Sequence, residues 1–128
     1  MFCRAIALLA TDQAGLYWRP DVLHCNDWQT GLALAFLEDQ TVRPATVFTI
    51  HNLAYQGNFP YQSFLELGLS DAHWDYTKLE FHNQLSFIKG GIVFADQVNT
   101  VSPTYADEIQ TSEFGCGLEL LLQHYSSK

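Results

Sequence analysis

Positive charge is scarce in this sequence of 128 residues. Six lysines and arginines stand against 14 aspartates and glutamates, so the formal net charge is −8. Nucleic acids and anionic membranes both attract basic proteins, and we therefore expect neither as a partner. None of the six bases lies in the polar segments that follow the predicted strands described below. A phosphate-bearing ligand would therefore need binding groups from elsewhere.

Paired cysteines and long apolar runs are also missing. Cys3, Cys25 and Cys116 are odd in number and contain no Cys-x-x-Cys pair, so neither a disulfide framework nor a zinc knuckle is indicated. We expect a reducing, cytoplasmic location. The apolar run from Ala5 to Ala10 is too short for the core of a signal peptide or for a membrane span.

The usual phosphate-binding and metal-binding motifs do not occur. There is no Walker A motif, and Gly115-Cys116-Gly117 lacks the third glycine of a dinucleotide-binding loop and does not follow a predicted strand. The five histidines do not pair at the spacing of metal ligands on one helix. We therefore expect no cofactor and no metal.

Alternating helical and strand-like patterns predict the fold. In chain order they are a helix over 2–14, a strand beginning at Val22, a helix after Asp27, a strand over 46–50, a helix over 84–95, a strand over 97–101 and a helix over 105–110. A long aromatic connection over 52–84 includes a short helix near 61–67. This order predicts an α/β domain with a parallel, Rossmann-like sheet and helices on both faces. Within the helix over 84–95, Gly90 and Gly91 predict a close contact between helix and sheet.

Polar groups follow three of the predicted strands. The segments at these strand ends are Asn26-Asp27-Trp28, His51-Asn52 and Ser102-Pro103. The carboxyl ends of parallel strands meet at one edge of a sheet, and ligands of open α/β sheets bind there. These segments therefore predict one shared site.

Several of these residues also have a purely structural interpretation. Asp27 precedes a helical pattern, so its carboxylate is expected to cap that helix, and Ser102-Pro103 has the features of a helix start. His24, inside a predicted buried strand, is expected to be a hydrogen-bonded core residue. His51 is either a strand-terminating residue bonded to a neighbouring loop or a ligand-binding residue, and its spacing does not decide between the two.

The side chains around His51 suit a polyhydroxylated ligand. Asn52 and Gln56 each offer a donor and an acceptor to hydroxyl groups. Tyr55, Trp28 and Trp74 could present flat apolar faces to sugar rings, although most aromatic residues pack in protein cores.

Four segments, in this order and spacing, resemble one family of glucosyltransferases. They are Arg19-Pro-Asp-Val-Leu-His-Cys-Asn-Asp-Trp-Gln-Thr-Gly31, Phe48-Thr-Ile-His-Asn-Leu-Ala-Tyr-Gln-Gly57, Leu79-Glu-Phe81 with Gln84-Leu-Ser-Phe-Ile-Lys-Gly-Gly91, and Ala95-Asp96 with Thr100-Val-Ser-Pro-Thr-Tyr-Ala106. The family comprises the bacterial glycogen synthases and plant starch synthases that use ADP-glucose. The resemblance implies a GT-B fold, with residues 1–128 as part of its N-terminal Rossmann-like domain. The family's opening lysine-glycine-glycine loop and its C-terminal domain are expected to lie outside these residues.

The resemblance also implies roles for particular residues. His51 resembles the active-site histidine that contacts the transferred glucose, and Asp27 resembles the aspartate that lines the same cleft. The neighbouring sugar contacts are expected to be Trp28, Asn52, Tyr55 and Gln56. Relatives often have histidine where this chain has Asn26 and Gln29, which leaves the acceptor preference open.

The implied reaction transfers glucose from ADP-glucose to the nonreducing end of an α-1,4-glucan, with retention of the anomeric configuration. ADP-glucose and the glucan are then the partners, no metal or cofactor is required, and the location is the cytoplasm, or the plastid stroma in a plant. Because half of the cleft would be missing, we expect these 128 residues alone to be inactive.

Two other interpretations remain open at the level of sequence. The first is another GT-B glycosyltransferase, such as a sucrose or trehalose-phosphate type, with a different nucleotide sugar. The second is a sugar-binding module that keeps the fold without catalysis.

Overall fold

A computed structural model describes all 128 residues, which form six helices and six strands. In chain order these are α1 (Phe2–Ala10), β1 (Val22–Asn26), α2 (Gly31–Glu38), β2 (Ala45–Ile50), β3 (Asn58–Pro60), α3 (Tyr61–Leu65), β4 (Glu80–Phe81), β5 (Gln84–Ser86), α4 (Phe87–Phe94), β6 (Gln97–Thr100), α5 (Pro103–Glu108) and α6 (Glu119–His124). Short 3-10 turns occupy Trp28–Thr30 and Asp71–His73. No helix is long and apolar enough to cross a bilayer.

The main sheet is parallel, with the strand order β1-β2-β6. Asn26 of β1 lies opposite Thr49 of β2, and Ile50 of β2 lies opposite Thr100 of β6. All three strands therefore end at the same edge. The predicted α/β class and parallel sheet are confirmed.

The core lies between this sheet and helices α2 and α4. Six of the eight residues of α2 are buried, as expected for a helix covered on several sides. Phe48 of β2 is fully buried, and a Cβ added at Gly91 of α4 would overlap its ring. Burying one such large apolar side chain contributes about 1.5–3 kcal/mol. The predicted close contact between helix and sheet is therefore confirmed at Gly91.

The opposite face of the sheet is open, which corrects two expectations. Val22, His24 and Asn26 of β1 are exposed, as are Gln97 and Asn99 of β6. The prediction of helices on both faces was therefore wrong for this chain, because the helices gather on the other side. The prediction of a core histidine at position 24 was wrong for the same reason. The His24 imidazole Nε2 lies 2.6 Å from the Thr49 hydroxyl, on the open face.

Helix α1 is shorter than predicted, and the long connection holds a sheet that was not predicted. Helix α1 stops at Ala10 because Asp12 takes a left-handed conformation (φ 55°), and the Gln13 N–H then bonds back to the Leu8 carbonyl at 2.9 Å. Strands β3, β5 and β4 form an antiparallel sheet in that order. The first three residues of the helix predicted over 84–95 are therefore strand β5.

The start of α5 was predicted correctly. Ser102 caps this helix by accepting from the Tyr105 N–H at 3.1 Å, and Pro103 occupies its first turn. Helix α6 was not predicted.

The amino-terminal edge of the main sheet is held by the Asp96 carboxylate. It accepts from both Arg43 guanidinium nitrogens, at 2.9 and 3.0 Å, and from the Thr46 N–H at 2.9 Å. These interactions, led by the Arg43 hydrogen bond, lower the pKa of Asp96 from 3.8 to about 2. The carboxylate thus joins the start of β6 to the start of β2.

We predict that Asp96→Asn destabilises the chain at neutral pH but not in strong acid. Because the folded-state pKa is depressed, the stabilisation is fully present above pH 3.8 and is lost as the pH falls through about 2. The Asp96 side chain is 41% exposed, so solvent screening limits the loss to about 1 kcal/mol. Urea unfolding of both proteins between pH 2 and 7 measures this. A constant difference across that range would contradict it.

Candidate active site at the carboxyl ends of the parallel strands

The ends of β1 and β2 are joined by Asp27 and His51. Asp27 Oδ1 accepts from the His51 backbone N–H at 2.8 Å, and Oδ2 lies 3.0 Å from the His51 imidazole Nδ1. One carboxylate thus holds both the backbone and the ring of the histidine. The side chains are 33% exposed at Asp27 and 48% exposed at His51, so the pair can still contact a ligand.

The backbone of Asp27 takes a conformation that is rare for a residue with a side chain. Its φ is 61° and its ψ is 176°, which costs about 1–3 kcal/mol at a non-glycine residue. The Asp27 N–H bonds the Thr49 carbonyl at 3.0 Å, and the Thr30 hydroxyl donates to the Asp27 carbonyl at 3.0 Å. Such strain is characteristic of functional sites.

The predicted helix cap at Asp27 was wrong. Asp27 precedes the 3-10 turn, but its side chain makes no capping hydrogen bond there. Both carboxylate oxygens are directed to His51 instead. For His51, the structure supports both interpretations left open by the sequence, since the residue is hydrogen-bonded and still half exposed.

The loop from His51 to Gly57 presents its polar side chains on the surface. Asn52 and Tyr55 are exposed, with Tyr55 at 67%. Asn52 Oδ1 accepts from the Ala54 N–H at 3.0 Å, which leaves its amide NH₂ free to donate. Leu53 points inward and is fully buried. Leu53 therefore fixes the centre of the loop, while the side chains of Asn52 and Tyr55 face solvent.

Gln56 is placed differently from the other predicted sugar contacts. Its amide Nε2 donates to the Cys116 carbonyl at 3.0 Å, and its Oε1 accepts from the Asn58 amide at 3.2 Å. Both ends of the side chain are thus engaged within the protein, and the first bond ties the loop to Gly115-Cys116-Gly117. A contact between Gln56 and sugar stays a prediction.

Trp28 is half-buried in an aromatic cluster. Its ring centroid lies 6.0 Å from that of Phe59 and 5.9 Å from that of Phe87. Gly57 lies against the indole, and a Cβ added there would overlap it. Trp28 therefore supports the loop, and its predicted contact with sugar stays a prediction. Trp74 packs against Tyr61 and Phe64, with centroids 4.6 and 5.2 Å away.

The third strand end reaches the site through Tyr105, which the sequence did not single out. The Thr100 hydroxyl donates to the Ile50 carbonyl at 2.6 Å, and the Leu53 N–H donates to the Tyr105 hydroxyl oxygen at 2.9 Å. The sequence signal that could have indicated Tyr105 is its position in the first turn of α5, shortly after the end of β6. All three strand ends thus contribute to one site.

Burial raises the pKa of the Cys25 thiol, on the strand that precedes Asp27, to about 11, so this thiol is uncharged at neutral pH. No group of three or more His, Cys, Asp and Glu side chains is arranged to hold a metal ion.

Comparison with known proteins identifies the family. The protein-family model described as the starch synthase catalytic domain matches residues 1–124. The chain belongs to the starch synthase catalytic domain family. The resemblance found in the four sequence segments is thereby confirmed.

The most similar relatives include bacterial glycogen synthases. That of Marinobacter nauticus is 61% identical over 128 residues, which are 100% of this chain and 26% of that protein. Glycogen synthase 1 of Methylococcus capsulatus is 59% identical over 127 residues, or 99% of this chain and 26% of that protein. The chain spans about a quarter of the length of the curated relatives it matches.

A plant structure has the same fold. The solved catalytic domain of starch synthase IV from Arabidopsis thaliana, bound to ADP and acarbose, is similar with a TM-score of 0.89 at 34% identity. The match covers 99% of this chain and 27% of that chain. The arrangement of strands and helices described above is thus that of a part of a starch synthase catalytic domain.

We predict that Gly57→Ala destabilises the chain more than Gly15→Ala. Both glycines have positive φ, at 64° and 73°, so each substitution costs about 1 kcal/mol of backbone strain. At Gly57 the new methyl group also meets Trp28, whereas nothing lies within 4 Å at Gly15. Overpacking adds about 1–3 kcal/mol. Urea unfolding measures the difference, and equal losses would contradict it.

Proposed function

We propose that this chain supplies the sugar-binding side of an ADP-glucose-dependent glucosyltransferase that extends an α-1,4-glucan. The observation that carries the proposal is the Asp27–His51 pair at the strand ends of a starch synthase catalytic domain. The bacterial relatives are glycogen synthases, and the similar plant structure holds ADP and acarbose. These names support ADP-glucose as donor and a glucan as acceptor.

In this proposal Asp27 sets the protonation pattern of His51. Because Nδ1 faces a carboxylate, it carries the proton, and in a neutral imidazole Nε2 is then an acceptor for a sugar hydroxyl. A backbone carbonyl in the turn that follows β2 is a second acceptor for a sugar hydroxyl. Together they orient the glucosyl unit and stabilise the positive charge that develops at its anomeric carbon.

Of the remaining predicted residues, some contact the sugar and the others support the loop over 51–57 in the same proposal. Asn52 offers a free amide donor and Tyr55 an exposed ring, both on the loop that begins at His51. Trp28 and Gln56 act mainly by holding that loop in place. The acceptor glucan therefore meets adaptable polar groups on a fixed backbone.

The phosphates of the donor are bound elsewhere in this proposal. None of the six lysines and arginines belongs to the Asp27–His51 pair or to the loop over 51–57. We therefore assign the phosphate-binding groups to a C-terminal GT-B domain, outside this sequence. The unpaired cysteines and the bacterial relatives support a cytoplasmic location.

A hybrid enzyme tests the function. The 128 matched residues of the Marinobacter nauticus glycogen synthase are replaced by this sequence, and glucose incorporation into glycogen is measured with ADP-glucose and with UDP-glucose. We expect an active hybrid that prefers ADP-glucose, whereas the chain alone transfers no glucose. A folded but inactive hybrid would favour the non-catalytic sugar-binding alternative.

In that hybrid we predict that His51→Ala lowers kcat by roughly 10²–10³-fold, the loss typical of removing one group that stabilises transition-state charge. His124→Ala is the matched control, because His124 is exposed on α6 and makes no hydrogen bond through its ring. We expect it to leave kcat unchanged. Near-normal turnover of the His51 variant would remove the histidine from the mechanism.

A further inference from the structure

The conformation of the loop from His51 to Gly57 depends on few hydrogen bonds. At its beginning the His51 N–H bonds Asp27, and at its end the Gln56 and Gly57 carbonyls accept from the Ile88 and Phe87 N–H groups, at 3.1 and 3.0 Å. Between these ends, the only bond from another part of the chain is the one from the Leu53 N–H to the Tyr105 hydroxyl, at 2.9 Å. The centre of the loop is therefore held by the buried Leu53 side chain and by this single hydrogen bond to another part of the chain.

That hydroxyl bond lies at a position where its loss is costly. Leu53 is fully buried, so its N–H has no ready access to water. Leaving a buried donor without a partner costs about 1–3 kcal/mol. Because Asn52 and His51 directly precede Leu53, any shift of this N–H moves the residues that face the proposed sugar site.

Tyr105 is itself held in place from several sides. Its backbone N–H bonds the Ser102 cap at 3.1 Å, and its carbonyl accepts from the Ile109 N–H at 3.0 Å. The Thr100 hydroxyl joins β6 to the Ile50 carbonyl, one residue before His51. Helix α5 thus begins at a fixed place beside the end of β2, and the half-buried tyrosine ring projects its hydroxyl to the loop.

We propose that Tyr105 is a positioning residue for the glucosyl-transfer site, a role that rests on the function proposed above. Its hydroxyl fixes Leu53, and thereby sets the backbone on which His51 meets Asp27 and Asn52 faces the sugar. Tyr105 does not touch the substrate. Tyr105 thereby links the end of β6 to the Asp27–His51 pair, which lies at the ends of β1 and β2.

Tyr105→Phe tests this, because it removes only the oxygen and keeps the ring. Tyr61→Phe is the matched control, since the Tyr61 ring packs on Trp74 while its hydroxyl makes no hydrogen bond within the protein. In the 128-residue chain, hydrogen exchange is measured for the Leu53 amide and for the peptide over 51–57. We expect exchange at least roughly fivefold faster in Tyr105→Phe and unchanged in Tyr61→Phe. Unchanged exchange in both would overturn the proposal.

Kinetics in the hybrid enzyme separate positioning from general stability. We expect Tyr105→Phe to lower kcat per folded enzyme by roughly tenfold, with a small change in the KM for ADP-glucose, because the hydroxyl orders the reacting geometry. A merely structural role would lower the thermal unfolding midpoint but leave kcat per folded enzyme unchanged, and that result would overturn the proposal. If the unsubstituted hybrid is inactive, the proposed function fails, and the exchange experiment alone decides whether Tyr105 positions the loop.

Discussion

The bidentate contact of the Asp27 carboxylate with His51 organises this molecule. Asp27 ends the first strand of the sheet and His51 follows the second, and the carboxylate bonds both the backbone N–H and the ring of His51. This double contact is possible only because Asn26 lies opposite Thr49, so that Asp27 comes level with the end of β2. The strained backbone of Asp27 is the cost of that placement.

The rest of the chain holds the two strand ends at a fixed separation. Phe48 and Gly91 bring α4 against β2, and the Asp96 carboxylate joins the strands at the opposite edge. The loop beyond His51 is packed on Trp28 and bonded to Tyr105 and Cys116. A rigid scaffold thus supports a site whose own side chains stay accessible, which is the arrangement that the proposed sugar transfer requires.

Much of the fold could be predicted from the sequence, because the three parallel strands carry clear strand patterns and Ser102-Pro103 marks a helix start. The hairpin of β4 and β5 could not. Its turn uses His82 and Asn83 at positive φ instead of the familiar Asn-Gly, and Leu85 happens to fit the helical stripe of Ile88 and Ile92. Local periodicity therefore extended the helix into a strand.

The sequence placed the candidate residues Asp27 and His51 after predicted strands, but it did not show how they are connected. The position of His51 after a strand was visible, whereas its partnership with Asp27 depends on the register between strands and on a rare backbone conformation. The exposure of His24 depends on which face the helices cover, and the hydroxyl of Tyr105 meets a residue 52 positions away. Such facts follow from three-dimensional packing, which single-sequence patterns do not contain.

The proton on His51 is the most direct test of the central claim. In the ¹⁵N-labelled chain, a long-range ¹H–¹⁵N correlation spectrum should show His51 protonated at Nδ1, facing the Asp27 carboxylate. Asp27→Asn keeps the shape but puts an amide NH₂ group opposite Nδ1, so the proton should move to Nε2 in the neutral ring. The account would be contradicted if the His51 ring were protonated only at Nε2 in the unsubstituted chain, or if its protonation pattern were the same in both proteins.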